Sequence, residues 1–88
     1  MASIIRVDGR IEGLPPGKLT LKQLQEAVGG YIQMVRLTPK TWMVVNEEGK
    51  LRGQEHNRLA TDLYRGFRGS DDEIVGDVVI AMCPEEVD

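Results

Sequence analysis

Apolar and polar residues alternate over short stretches of this chain, and two stretches repeat at helical spacing instead. Ser3 to Val7 is short, β-branched and closed by the turn signal Asp8-Gly9, which predicts a strand. Residues 12–19 carry paired prolines between glycines, a composition that blocks helix and ladder alike and predicts a loop. Leu21, Leu24 and Val28 then recur on one helical face behind Thr20, a good N-cap, with Gln23 placed for a capping box and Gly29-Gly30 at the end. Tyr31 to Leu37 and Thr41 to Val45 alternate as strands around the turn Thr38-Pro39-Lys40, which predicts a hairpin. After the turn Asn46–Lys50, residues 56–65 place Leu59, Ala60, Leu63 and Tyr64 in a helical stripe, with Gly66 as the expected stop. Glu73 to Met82 predicts a last strand, bent or bulged at Gly76-Asp77. The tail from Cys83 to Asp88 is expected to be flexible and acidic.

The resulting order, β-α-β-β-α-β, defines an α+β class with an antiparallel or mixed sheet packed by two short helices. A ferredoxin-like sandwich has that order. The chain shows no internal repeat and no linker, so residues 1–88 are expected to form a single domain with a folded core over about 3–82.

Composition narrows the picture. In 88 residues, 41% are hydrophobic and 28% charged, an ordinary globular balance. Trp42, Tyr31, Tyr64 and Phe67 are the only aromatics, so the core must rest on aliphatic residues. A chain this small buries only about 60% of its unfolded surface, and a homodimer is the simplest way to bury more. The net charge of -3 argues against general nucleic-acid binding, which needs clustered Lys and Arg. A helix-turn-helix start over Leu19–Leu37 fails as well, because the would-be recognition helix reads as strand. Cys83 is the single cysteine, which fits a reducing compartment and supplies no zinc quartet. The first residues lack a long apolar leader, and no apolar run nears the roughly 20 residues that span a bilayer. A cytoplasmic protein without a membrane partner is the expectation.

Four segments carry a resemblance: residues 24–32 ending in Val28-Gly29-Gly30-Tyr31-Ile32, residues 45–50 with Asn46-Glu47-Glu48-Gly49-Lys50, residues 57–61 with Asn57-Arg58-Leu59-Ala60, and residues 72–77 with Ile74-Val75-Gly76-Asp77. Over Leu19–Ile80 the chain resembles a family of small proteins encoded largely by bacteriophages and mobile elements and catalogued as a domain of unknown function. The resemblance implies a phage or prophage accessory protein. It assigns no activity.

Two functional expectations follow. In the first, the chain binds a small molecule, a nucleotide-derived signal of host defence being the case that fits a phage protein. Arg58 would meet phosphate at a helix N-terminus, Asn46 and Asn57 would read base edges, and Tyr31 would stack. Glu47, Glu48 and Asp77 complete this expected ligand-binding set. Against it stands the plainer reading that Asn46–Gly49 is only a turn with the residues a turn demands. In the second, an acidic surface including Glu47, Glu48, Asp71, Asp72 and Glu73 inhibits a host protein by charge complementarity. Scattered carboxylates without EF-hand spacing, including Asp71, Asp72 and Asp77, do not make a metal site. His56 lacks a nucleophile or acid partner in sequence, so no catalytic residue, cofactor or metal is assigned. The terminal Glu85-Glu86-Val87-Asp88 matches a chaperone-type recognition peptide, but four residues match by chance.

Overall fold

The structure is a computed structural model and describes residues 2–88. Seven elements follow one another: β1 (Ser3–Ile5), β2 (Ile11–Gly13), α1 (Leu21–Val28), β3 (Ile32–Arg36), β4 (Thr41–Asn46), α2 (Arg58–Arg68) and β5 (Val78–Met82). The strands form one five-stranded sheet in the order β2-β1-β5-β4-β3, with every neighbouring pair antiparallel. The fold is therefore α+β. The β-α-β-β-α-β succession of a ferredoxin-like sandwich is present, with β2 added between β1 and α1. Within the sheet, β5 lies between β1 and β4, so α2 joins two antiparallel neighbours.

Strand parity sorts the core. Ile4, Val44, Val79 and Ala81 face one side, where Leu24 and Val28 of α1 cover them. Ile5, Met43, Val45 and Val78 face the other, against Ala60 and the half-buried Leu59, Leu63 and Tyr64 of α2. The helices thus sit on opposite faces of the sheet. This explains why Met43-Val44-Val45 and Val78-Val79 are unbroken apolar runs, since both of their faces are buried.

Four local details depart from, or add to, the sequence expectations. The loop expected over 12–19 begins with a strand, because the Asp8-Gly9 turn folds Ile11–Gly13 back onto β1, with Ile5 opposite Ile11. Only three residues long, β2 gives no period-two signal. Helix α2 runs through Gly66 and stops at Gly69, whose φ of 64° lets its N–H reach the carbonyl of Arg65. Helix α1 shows its capping box, closes at Gly29, and uses Gly30 differently: a Cβ there would stand 2.9 Å from the Asn46 amide nitrogen. The last segment, expected to fray, lies beside Leu19. The Leu19 N–H donates to the Glu86 carbonyl, the Asp88 N–H donates to the Leu19 carbonyl, and Val87 packs against the α1-side core.

Candidate functional site

Strand β4 ends at Asn46, and the chain turns there through an Asx turn. The Asn46 side-chain oxygen accepts from the Glu48 N–H at 2.8 Å, and the Gly49 N–H donates to the Asn46 carbonyl at 3.2 Å. The Asn46 amide nitrogen reaches across to the Val28 carbonyl at 3.1 Å, tying the end of α1 to the end of β4. The turn continues to Gln54, whose N–H donates to the Gly49 carbonyl, and carries Leu51 outward at 86% exposure.

Beside this corner, on the α2 face of the sheet, lies a cleft of about 200 Å³. Its apolar wall is Val35, Val45, Ile74 and the ring of Tyr64, and its polar rim is Gln33, Glu47, Lys50, Asp72 and Glu73. The Lys50 ammonium pairs with the Asp72 carboxylate across the mouth. That hydrogen bond is the main reason the Lys50 pKa is raised and the Asp72 pKa lowered from their ordinary values. The Glu73 carboxylate lies 2.8 Å from His56 Nδ1. The Arg65 guanidinium, donating to the carbonyls of Asp71 at 3.0 Å and Asp72 at 3.2 Å, holds the loop that carries both carboxylates.

The residues expected to form one ligand site are dispersed. Asn46 and Glu47 border the cleft; Tyr31, Glu48, Asn57, Arg58 and Asp77 do not. Asn57 is wholly buried. Its oxygen caps α2 by accepting from the Ala60 N–H, and its nitrogen donates to the carbonyls of Ile5 at 3.0 Å and Gly76 at 2.9 Å. Asn57 thus spends its amide wholly on backbone groups, which corrects the role expected for it, whereas Asn46 makes one backbone bond through each amide atom and still borders the cleft. Arg58 is the exposed first residue of α2 and lies apart from the cleft. Tyr31 is 66% exposed just before β3. Glu48 pairs with Arg52 at 3.2 Å.

Asp77 belongs to another constellation. Its carboxylate accepts from Arg6 Nη1 and from the Val7 N–H, both at 2.9 Å, while Arg6 also binds Glu12 at 2.9 Å. The two carboxylates push the Arg6 pKa up, the Glu12 hydrogen bond being the larger cause. This network ties β1, β2 and the entry to β5, and it borders an open groove of about 420 Å³ that also touches Glu26, Gln54 and Glu55.

The cleft draws on Gln33, Tyr64, Asp72 and Glu73, which the expected ligand-binding set left out, Asp72 and Glu73 being expected only as part of an acidic surface. Tyr64 reads as a core residue from its helical stripe, and only packing shows that one side of its ring is left to the cleft. Among the described residues, no three His, Cys, Asp or Glu side chains are grouped to hold a metal ion, and no helix is long and apolar enough to cross a membrane.

No curated protein and no solved structure matches the chain. A family match does exist, and it extends past the Leu19–Ile80 resemblance to take in the proline-rich lead-in and the acidic tail. Since residues 4–88 match the family described as "Domain of unknown function (DUF3846)", the chain belongs to that family.

Proposed function

We propose that this chain is a phage-type accessory protein that binds a small, nucleotide-derived molecule of host defence in the cleft beside the Asn46–Lys50 corner. One observation carries the reading: an aromatic wall, an amide, several carboxylates and one ammonium converge on a single concavity. A planar base would lie against Tyr64, Val35 and Val45. Its amino groups would donate to Asp72, Glu73 or Glu47, and Gln33 would pair with a ring edge. Lys50 would meet a phosphate by exchanging its Asp72 partner. At about 200 Å³ the cleft takes the base-sized part of such a molecule, below the roughly 300 Å³ at which whole-ligand pockets begin, so the remainder would lie over the rim. The reading assigns the chain no catalytic step, and it places the protein in the cytoplasm of the host cell.

Native mass spectrometry of the chain purified from phage-infected bacteria tests this directly. A stoichiometric small mass is expected on the protein. It should be lost from Lys50→Ala and Gln33→Ala, two exposed positions outside the buried core. A bound mass that survives both replacements would place the ligand elsewhere.

The exposure of Leu51 favours a second reading, an inhibitor of a host protein. A leucine 86% exposed on the cleft rim, beside Glu47, would fit a partner with an apolar and basic surface. In that case the purified chain carries no small mass, and a salt-sensitive host protein is captured by the native chain but not by Leu51→Asp.

A further inference from the structure

We propose that the free edge of β3 pairs with β3 of a second copy of this chain, in antiparallel register about Met34. This stands independently of any ligand in the cleft.

The hydrogen-bond parity of the hairpin is the starting point. The Glu47 N–H donates to the Tyr31 carbonyl and the Leu37 N–H to the Thr41 carbonyl, so Tyr31, Gln33, Val35 and Leu37 spend their backbone groups on β4. Ile32, Met34 and Arg36 therefore direct theirs to the outer side of the sheet, where β3 is the terminal strand. Arg68 Nη1 donates to the Arg36 carbonyl there at 3.3 Å, which leaves that oxygen a second lone pair.

Edges are ordinarily blunted by brevity, proline, lysine or a bulge. The opposite edge, β2, is blunted: it has three residues, ends in Gly13, and runs into Pro15-Pro16. Strand β3 is five residues long, has neither proline nor lysine, and keeps an unbroken register with β4.

What fits this edge is its own copy. With Met34 opposite Met34 of the second copy, each Ile32 faces an Arg36, and all the outward groups meet in hydrogen-bonded pairs. Ile32 and Met34, half-buried on the α1 face, then continue the apolar surface of one copy into the next. Charge agrees with direction. Arg36 and Arg68 mark one end of the edge, while Glu47, exposed and paired to Tyr31, marks the other. Antiparallel pairing brings the basic end of each copy to the acidic end of the other, whereas parallel pairing would set like charges together.

Sedimentation equilibrium on the full chain, with hydrogen exchange on the same samples, tests the pairing. The expected result is a concentration-dependent dimer in which the amides of Ile32, Met34 and Arg36 become protected together. Glu47→Arg should weaken the dimer at least about tenfold, and Glu47→Arg combined with Arg68→Glu should restore it. A chain that stays monomeric to about 100 μM overturns the proposal. So does a dimer in which those three amides exchange as fast as in the monomer, because another surface would then hold it. The exchange readout needs no variant, so a misfolded substitution leaves the test intact.

Discussion

Asn57 concentrates three jobs in one side chain: it caps α2, and it holds the carbonyls of Ile5 and Gly76, which belong to the end of β1 and the entry to β5. Replacing it by Ala removes the cap and the amide that donates to two buried carbonyls. We expect Asn57→Ala to cost about 2–4 kcal/mol, read as a shift in the urea midpoint. An unchanged midpoint would mean that water replaces the amide at all three partners. At this residue sequence and structure diverge most. An asparagine before a helix signals an N-cap, but nothing in the local sequence says whether its amide nitrogen points outward or 52 residues back to Ile5. Asn46 is the same case, its amide directed to Val28. Polar residues in turns look like ligand contacts until the backbone groups they serve are known.

Among the elements, periodicity is legible wherever an element is long enough to show it. The α1 capping box, the β3–β4 hairpin and the break before β5 all follow from local residue choice. Strand β2 is not legible, because its pairing is dictated by the Asp8-Gly9 turn and not by its own three residues. The stop of α2 is ambiguous in sequence because two glycines, Gly66 and Gly69, stand within one turn, and glycine type alone does not reveal which has positive φ. Their different roles predict opposite outcomes. Gly66→Ala lies within the helix with open space at its Cβ, and should stabilise by about 0.5–1 kcal/mol. Gly69→Ala must adopt a left-handed conformation and should destabilise by about 1–2 kcal/mol. Thermal melts of the pair decide it, and a common sign for both would contradict a helix that runs through Gly66 and ends at Gly69.

For the molecule as a whole, exposed ion pairs stitch the layers around a two-sided core. Glu12 is lowered chiefly by Arg6, Asp72 by Lys50, Asp8 by the Arg10 N–H and Glu86 by the Met82 N–H. Each of these carboxylates is more acidic in the folded chain than in the unfolded one. As the pH falls, the unfolded chain therefore takes up protons first, and stability drains away. Stability should be full above the ordinary carboxylate range, about 4, and should fall as the pH drops through and below it. Urea midpoints at neutral and acid pH measure this, and added salt should flatten the dependence because the pairs are solvent-exposed. A midpoint that holds constant into strong acid would show that these contacts persist in the unfolded ensemble. The same global view explains why the cleft is invisible in sequence. Gln33, Lys50, Tyr64 and Asp72 come from four separate segments, and only the closing of the sheet against α2 brings them to one place.

The Arg36 guanidinium lies 5.2 Å from the centre of the Trp42 ring, on adjacent strands at one end of the β3 edge. Trp42 is the only tryptophan in the chain, so the molecule carries a built-in fluorophore next to its exposed border. Excited selectively, that indole would register by its emission wavelength and anisotropy whether the hairpin is closed, frayed or covered. Events on β2, at the opposite edge of the sheet, would leave it silent.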